Sequence, residues 1–410
     1  MTIEVDLFSQ EFGAVPFPVL SQLREQAPVH YDPTTRLWLV TRDEDIRRVL
    51  LDPETFPSDN ALSPVMPLRV PALRILNRAG FNTKPALFNN SGPSHAGLRA
   101  IMLKLFSMQR VRAALPMIEQ ITAEELDVVE SVLAEKGQCD LATTAARQIP
   151  VRVLLEILGL AKVAPVDVMT VAGWAEAFIH LFWGRTGKDE QREYAERAAE
   201  LYAWLSDLIE LRDVPEDSLL GALLAYRGPD GEPATREEFL GVCSSAMVAG
   251  HITTTQMISS TLYRALEGRR HWQALGADPA LSGPWAEEII RRETSLTAWR
   301  RVTSRDTTVG GVELPAGAQL LVMLTSAGND PEAYENPEEI CPFRDGGRRH
   351  VGFGLGSQRC PGAELARAEG QVVLGQMVRR FPTMRLVSEE RPPYLELISF
   401  RAPTSVLVTV

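Results

Sequence analysis

Residues 350–362 read His-Val-Gly-Phe-Gly-Leu-Gly-Ser-Gln-Arg-Cys-Pro-Gly, and this stretch decides the fold. Three glycines and Phe353 precede Cys360, and a segment of helical character, 363–373, follows it. The dipole and free backbone N–H groups at a helix N-terminus favour a thiolate over a thiol. Pro361 suits the first helical position, where its missing N–H costs nothing. The glycines let the backbone turn tightly and approach a flat ligand closely.

A thiolate held in this way suits a haem iron, because it donates electron density that favours cleavage of the O–O bond. Two other interpretations of the cysteine are open at this point. A lone cysteine flanked by apolar residues is ordinarily part of the core. A nucleophilic cysteine is the other possibility, and it requires a histidine within hydrogen-bonding distance.

The same stretch resembles the haem-binding signature of the cytochrome P-450 family. The residues that carry the resemblance are Phe353, Gly354, Gly356, Cys360 and Gly362. It implies a mainly α-helical fold with small peripheral β-sheets, in which haem b is buried between a long central helix and the cysteine loop. It also implies that Cys360 is the axial ligand of the haem iron.

Further motifs occur in the order that the family has them. Glu288, Arg291 and Arg344 resemble a buried structural triad that positions the cysteine loop from behind. The residues that resemble those holding the two haem propionates are His95, Arg99, Arg301 and His350. A Glu–Arg pair three residues apart, or a His–Arg pair four residues apart, is common on helix surfaces. A Glu–Arg ion pair there stabilises the helix by only about 0.2–0.5 kcal/mol. Their shared order, ending on the cysteine loop, is what makes the resemblance specific.

The stretch 249–253, Ala-Gly-His-Ile-Thr, lies where the family has its oxygen-activation motif. The resemblance implies that Thr253, with His251 and Gly250, forms the catalytic part of the distal side. The family commonly has an acid immediately before this threonine, whereas this chain has Ile252. A proton relay then needs water, His251 or a polar group of the substrate.

Two smaller departures concern the proximal side and the strand after the triad helix. Gln358 stands where many bacterial members have histidine, and Ser295 stands where proline is frequent. The substrate pocket that the resemblance implies is formed by Val248, Ala249, Ile252, Leu296, Thr297, Trp299 and Ile398. The aromatic stretch 174–183 is either core or a ligand wall, and Arg300 is either an exposed arginine or a contact for a substrate carboxylate.

The implied function is that of a monooxygenase that hydroxylates a small organic substrate in a tailoring step of natural-product biosynthesis. Because Ile252 replaces the usual acid, a second hypothesis is oxidative coupling or ring closure of an aromatic or peptide-derived substrate without oxygen insertion. A hypothesis of another class is a non-enzymatic haem sensor.

Electrons must come from outside, because 410 residues have no room for an added flavin or iron–sulfur module. We expect NAD(P)H as their source, through a ferredoxin reductase and a small acidic ferredoxin. A basic surface that would attract such a protein is predicted from Lys104, Arg110, Arg112, Arg348, Arg349 and Arg359.

The net charge of −11 argues against nucleic-acid binding. The N-terminal stretch has no secretory pattern, and no apolar run approaches the length of a membrane span. The four cysteines form no CxxC pair that would indicate zinc or a redox dithiol. We therefore expect a monomeric, cytoplasmic protein, folded as a single domain over residues 1–410.

Hydrophobic patterns place the motifs on elements. We expect a strand at 36–41, an irregular loop at 60–92 and mainly helices from 95 to 228. A single long helix should run from the capping box of Thr235 and Glu238 to Gly268. A helix at 285–292, a hairpin and strand at 309–324, and a strand at 406–408 should follow.

Overall fold

The computed structural model describes residues 3–82 and 87–410, and helices dominate it. The α-helices are α1 (Gln10–Ala14), α2 (Phe17–Gln26), α3 (Asp43–Leu51), α4 (Val70–Arg78), α5 (His95–Leu105), α6 (Met108–Lys136), α7 (Gln148–Ile157), α8 (Val168–Trp183), α9 (Lys188–Ile209), α10 (Leu219–Ala225), α11 (Arg236–Ala249), α12 (Ile252–Glu267), α13 (Arg269–Ala277), α14 (Ser282–Arg292), α15 (Leu324–Gly328) and α16 (Ala363–Arg380). A π-helix covers Ala142–Ala146, and the short 3₁₀ helices are Pro279–Leu281, Gly347–Arg349 and Gly356–Gln358.

Short strands form small sheets, as expected. The strands are β1 (Val29–Asp32), β2 (Leu37–Val40), β3 (Cys139–Asp140), β4 (Trp299–Val302), β5 (Thr307–Val309), β6 (Val312–Leu314), β7 (Gln319–Val322), β8 (Arg385–Leu386) and β9 (Leu407–Thr409). They pair as a four-stranded sheet in the order β1-β2-β7-β4, a three-stranded sheet β3-β9-β8 and a hairpin β5-β6. The mainly α fold with small sheets is therefore confirmed.

The chain folds into two compact units, each assembled from separate stretches of sequence. The first comprises the described residues up to Pro57 together with Pro116–Ile149 and Thr253–Val410. The second comprises those of Ser58–Leu115 together with Pro150–Ile252. The sheets and the cysteine loop belong to the first unit. The single domain over 1–410 stays a prediction.

One face of the four-stranded sheet carries a buried apolar core of the first unit. Leu320 and Val322 of β7 contribute to it, together with Leu50 of α3 and Val351 of the cysteine loop. Since β4 pairs with β7 so that Arg301 lies opposite Leu320, Arg301 is on this core-facing side of the sheet. The sheet therefore presents one predicted haem-binding arginine on the face that packs against the cysteine loop.

The predicted long helix is correct at both ends and wrong in the middle. Thr235 Oγ1 accepts the N–H of Glu238 over 3.1 Å, and Glu238 Oε2 accepts the N–H of Thr235 over 3.0 Å, which completes the capping box. α12 ends directly before Gly268, as expected. Between these ends the helix is interrupted at 250–251, so that α11 and α12 are separate elements.

Gly250 explains part of this interruption. A Cβ at this position would lie 2.7 Å from Leu154 Cδ1 and 2.4 Å from the carbonyl oxygen of Ala246. Glycine is a poor helix former, so its presence here weakens the helix where close packing excludes a larger residue. The sequence shows the glycine but not the leucine that packs against it.

Other predicted elements are confirmed with small shifts. The strand at 36–41 is β2, the helical region from 95 to 228 contains α5 to α10, and the hairpin and strand at 309–324 are β5, β6 and β7. The loop predicted at 60–92 contains α4, and residues 83–86 of that loop lie outside the described residues. None of the helices in the described ranges combines the length and apolar character that a membrane span requires.

Candidate functional site

Backbone hydrogen bonds close the loop that carries Cys360. The N–H of Cys360 donates to the carbonyl oxygen of Phe353 over 2.7 Å, and the N–H of Gly354 donates to that of Val351 over 2.8 Å. The side chain of Cys360 is exposed. The loop therefore fixes the backbone of the cysteine while leaving its sulfur accessible.

The start of α16 lies further along the chain than predicted. Gly362 is the N-cap and Ala363 the first residue, so Pro361 lies in the turn before the helix and not at its first position. Cys360 precedes the N-cap by two residues. Because the effect of a helix dipole falls off within the first turn, it acts on this sulfur less strongly than the sequence suggested.

Two glycines of the loop adopt left-handed backbone conformations. Gly354 has φ 70° and Gly356 has φ 69°, values that residues with a Cβ rarely adopt. A Cβ on Gly356 would also lie 2.9 Å from the carbonyl oxygen of Leu50. A side chain would strain the backbone at either position, and at position 356 it would also meet α3.

Both ring nitrogens of His350, which the resemblance assigned to a haem propionate, contact groups of the protein. Its Nε2 lies 2.9 Å from Glu287 Oε1, and its Nδ1 accepts the N–H of Gly352 over 3.0 Å. Both ring nitrogens are thus engaged inside the first unit, and the ring is buried. No local sequence pattern predicts this pairing, because Glu287 lies 63 residues away.

The three residues of the predicted triad come together. Glu288 accepts from Arg291 Nε over 2.9 Å and from Arg344 Nε over 3.0 Å. Burial opposes ionisation of Glu288, yet these bonds hold its pKa below the usual value. Arg291 donates further to backbone carbonyls of Gly328 and Glu339 over 2.5 and 2.8 Å. The triad therefore secures the segment 328–341 rather than bonding directly to the cysteine loop.

Arg300 and Arg301 are both buried, with exposed fractions of 4% and 3%. Burial lowers the pKa of each guanidinium to about 10, so both remain charged at neutral pH. Within the described ranges, Nε and Nη2 of Arg300 have no hydrogen-bond partner. The expectation of an exposed Arg300 was wrong, because it leaves β4 on the face opposite to Arg301 and is covered there.

The other two predicted propionate residues lie in the second unit, on α5. His95 is the first residue of this helix and Arg99 lies one turn further, so both are on one face. Burial, together with the charge of Arg99, lowers the pKa of His95. The buried Nε2 of His95 has no hydrogen-bond partner among residues 3–82 and 87–410.

The predicted catalytic stretch coincides with the interruption between α11 and α12. Gly250 is the C-cap of α11, His251 lies in the turn with 2% of its surface exposed, and Ile252 begins α12. Thr253 follows in the first turn of α12 and is half-buried. The departure from regular helix thus falls on the residues to which the resemblance gave a chemical role.

Residues predicted for the substrate pocket in the first unit are brought together. The N–H of Thr297 donates to Ser399 O over 2.9 Å, and Thr297 Oγ1 donates to Ile398 O over 3.4 Å. Leu296 forms an isolated bridge with Phe400. In the second unit, Val248 is buried and Ala249 exposed at the end of α11.

The aromatic stretch 174–183 belongs mainly to the core of the second unit. The rings of Phe178 and Phe182 stack with centroids 4.6 Å apart, and Phe81 packs against both at 6.0 Å. The cavity beside them measures about 10 Å³, which is too small for an organic ligand. The structure therefore favours the core interpretation of this stretch.

Part of the predicted basic surface is a groove of the first unit. The groove has a volume of about 650 Å³, and the cysteine loop forms one of its walls. Its charged lining residues are Arg47, Arg348, Arg349, Arg359, Arg367, Asp43, Glu332 and the titratable His350. In the second unit, Arg110 is held by Asp217, with one guanidinium nitrogen 2.8 Å from its carbonyl oxygen.

Known proteins resemble this chain over nearly its whole length. A model of the family described as Cytochrome P450 matches residues 286–406. Vitamin D(3) 25-hydroxylase of Pseudonocardia autotrophica is 31% identical over 401 residues, covering 94% of this chain and 91% of that protein. Erythromycin C-12 hydroxylase of Saccharopolyspora erythraea is 30% identical over 370 residues, with 88% and 86% covered.

A solved structure of the same fold is also similar to this chain. The structure of cytochrome P450 CREJ in complex with (4-ethylphenyl) dihydrogen phosphate has a TM-score of 0.88 and 31% identity, with 97% of each chain covered. The family model, the relatives and the fold point to the same result. This chain belongs to the cytochrome P450 family: it is a monooxygenase that uses haem b and takes electrons from redox partners.

Proposed function

We propose that this monooxygenase hydroxylates a small organic substrate in a tailoring step of natural-product biosynthesis, and that Cys360 would supply the thiolate ligand of the haem iron. The observation that carries the proposal is the cysteine loop, in which an exposed thiol follows a turn closed by the Phe353 carbonyl over 2.7 Å. Two relatives are named for hydroxylations, which supports this type of reaction. Because the family consists of enzymes, the hypothesis of a haem sensor is not retained.

Several features fit a haem. The buried guanidinium of Arg301 carries a positive charge, and a propionate is an anion that can pair with it. The buried Nε2 of His95, which has no partner in the described part of the chain, offers a further polar contact. The left-handed Gly354 and Gly356 shape the turn that leaves the thiol of Cys360 exposed to such a ligand. Bound haem supplies the binding and reductive activation of dioxygen.

Arg301, His95 and Arg99 would hold the propionates by charge-assisted hydrogen bonds. We do not assign His350 to this role, because both of its ring nitrogens have partners. Thr253 would hold a proton at its hydroxyl on the distal side. Ile252 is 5% exposed and apolar, so its side chain supplies no proton. The relay then uses His251, water or the substrate itself.

The residues that we assign to the substrate are mainly apolar. Val248, Ala249, Ile252, Leu296, Trp299 and Ile398 present carbon surface, and Thr297 adds one hydroxyl. Such a set suits an organic molecule with few polar groups, since apolar lining with a small number of polar contacts is typical of small-molecule sites.

We assign the arginine-lined groove to an acidic ferredoxin that receives electrons from NAD(P)H through a ferredoxin reductase. Five arginines and two carboxylates line this groove, so its charge is positive although the chain has a net charge of −11. Opposite charge raises the rate of encounter between the two proteins. We further propose that the protein is monomeric and cytoplasmic.

The reaction type is tested with dioxygen labelled in both atoms. A substrate is first found by screening candidate compounds for a shift of the haem spin state. Hydroxylation predicts one labelled oxygen atom in the product. A product without label would instead identify coupling or ring closure, the alternative that the missing acid at position 252 suggests. Ligation by Cys360 is tested separately, by the red-shifted band of the reduced, carbon-monoxide-bound protein and its loss in Cys360→Ser.

A further inference from the structure

Glu287 precedes the triad glutamate in sequence but belongs to a different network. It lies on α14 and is 8% exposed. Its Oε2 accepts from Arg367 Nε over 2.7 Å, and its Oε1 accepts from Arg367 Nη2 over 2.8 Å. The same Oε1 lies 2.9 Å from His350 Nε2. One buried carboxylate therefore holds a residue of α16 and the first residue of the cysteine loop.

The backbone of the loop fixes the tautomer of His350. Because Nδ1 accepts the N–H of Gly352, it carries no proton, and the ring proton is on Nε2. In this tautomer Nε2 of His350 donates to Oε1 of Glu287. Burial would raise the pKa of Glu287, but the bonds from Arg367 and His350 outweigh this effect and lower it to about 2. The carboxylate consequently stays ionised at any physiological pH.

Both partners of Glu287 contact the ring of Phe353. The guanidinium carbon of Arg367 lies 4.7 Å from the ring centroid, and the ring of His350 lies 5.9 Å from it. A guanidinium over an aromatic face is attracted by the ring quadrupole. The carbonyl of this same Phe353 accepts the N–H of Cys360. A continuous set of contacts therefore leads from Glu287 to the backbone of Cys360.

The loop is also seated directly on the last turn of α14. A Cβ on Gly352 would lie 2.5 Å from Thr294 Oγ1 and 2.8 Å from the carbonyl oxygen of Ile290. The loop can approach this closely only with glycine at position 352. The hydrogen bonds of Glu287 and the close packing of Gly352 hold the same end of the loop.

We propose that Glu287 is a positioning residue, which fixes the cysteine loop on α14 through His350 and Arg367 and so sets the position of Cys360 relative to the haem iron. The consequence for the iron rests on the proposed function, whereas the consequence for the loop does not. The triad cannot replace this network, since the bonds described for Glu288, Arg291 and Arg344 lead to the segment 328–341.

The experiment compares Glu287→Gln with Glu287→Asp and with a matched control. Glu364 also binds Arg367, over 2.8 Å, but its side chain is 31% exposed and it has no bond to the loop among those described, so Glu364→Gln removes an equal charge nearby. Three properties of the purified holoprotein are measured: hydrogen exchange of the Cys360 and Gly354 amides, the reduced carbon-monoxide band and the reduction potential.

In Glu287→Gln we expect the exchange of the two amides to accelerate about tenfold or more, because charge-assisted bonds that restrain the loop are lost. The share of protein with the red-shifted band should fall. The potential should become more positive, because a buried negative charge is removed. In Glu287→Asp all three properties should lie between those of Glu287→Gln and wild type. In Glu364→Gln all three should stay close to wild type. A merely structural ion pair would lower the thermal midpoint without these local changes.

Exchange rates and band position equal to wild type in Glu287→Gln would overturn the proposal. If this variant does not fold, Arg367→Lys, which keeps the charge but loses the bidentate fork, is measured in its place. The expectations for amide exchange and for the red-shifted band are the same, whereas the potential should stay close to wild type because no charge is removed. A wild-type protein without the red-shifted band would reject Cys360 as the ligand. The exchange measurement would still decide whether Glu287 holds the loop.

Discussion

Glu369 lies nine residues after Cys360 on α16. It is fully buried, and both of its oxygens are without hydrogen-bond partners within the described ranges. Burial raises its pKa from 4.5 to about 8. At neutral pH the folded protein therefore keeps this group protonated, whereas the unfolded chain ionises it.

This difference makes the free energy of unfolding depend on pH. A carboxyl whose pKa is raised on folding contributes stability that is fully present below the pKa of the unfolded chain, 4.5, and is lost as the pH rises to about 8. In Glu369→Gln, which cannot ionise, the loss of stability between about pH 5 and pH 8 should be clearly smaller than in wild type. Urea unfolding at a series of pH values measures this slope.

Glu364→Gln is the control for that measurement, since it removes a partly exposed carboxyl from the same helix. The slope should be smaller in Glu369→Gln than in Glu364→Gln, because only Glu369 is fully buried. Equal slopes for wild type and Glu369→Gln would show that Glu369 titrates normally in the folded protein.

Ile252 is the residue that separates this chain most clearly from the family pattern. If the acid is simply absent, Ile252→Glu should supply a proton source beside Thr253 and raise the amount of product formed per NAD(P)H consumed. Less hydrogen peroxide should be released for the same electron input. Ile252→Gln is the matched control, because it has the same length as glutamate without the acid. If Ile252→Glu forms no more product per NAD(P)H than Ile252→Gln, the proton relay is already adapted to the substrate.

At the scale of elements, the interruption between α11 and α12 depends on one close approach. In Gly250→Ala the new methyl group would meet Leu154 Cδ1 at 2.7 Å, so the packing has to shift. We expect a loss of about 1–3 kcal/mol in the free energy of unfolding, as is typical of overpacking. Chemical denaturation measures it.

Gly276→Ala is a control in which the free energy of unfolding should change in the opposite direction. Gly276 lies in α13, and the nearest atom to its Cβ would be Val378 O at 3.8 Å, an ordinary contact. Alanine should therefore stabilise this helix by up to about 1 kcal/mol. If both substitutions stabilise the protein, the packing at Gly250 is looser than the distances indicate.

The elements also show what a sequence can predict. The capping box of Thr235 and Glu238 was found because both partners are three residues apart, and the glycine pattern before Cys360 is equally local. The pairing of His350 with Glu287 spans 63 residues, and the packing of Leu154 on Gly250 spans even more, so no local pattern indicates either. The burial of Arg300 likewise depends on the pairing of β4 with β7.

At the scale of the whole molecule, the distribution of charge matters more than its total. The chain has 53 acidic and 42 basic residues, yet the groove beside the cysteine loop is lined by five arginines and two carboxylates. Arg367 lines this groove and also binds Glu287, so the surface assigned to the electron donor adjoins the network that holds the loop. A donor that docks here would approach the side of the loop that carries Phe353.

Charge reversal in this groove should slow electron transfer from the ferredoxin. Arg348→Glu and Arg349→Glu are each expected to lower the rate of haem reduction about tenfold at low salt, because electrostatic steering commonly raises association rates by this factor or more. The difference from wild type should shrink as salt is added, since the Debye length falls from about 30 Å at 0.01 M to about 3 Å at 1 M. Stopped-flow reduction by a small acidic ferredoxin measures the rate.

Arg270 is an exposed residue of α13 outside the groove. Arg270→Glu makes the same change of net charge and should leave the rate near that of wild type. Reduction by dithionite should be unchanged in every variant, because this small reductant needs no docking surface. Equal ferredoxin rates in wild type and both groove variants would place the electron donor elsewhere.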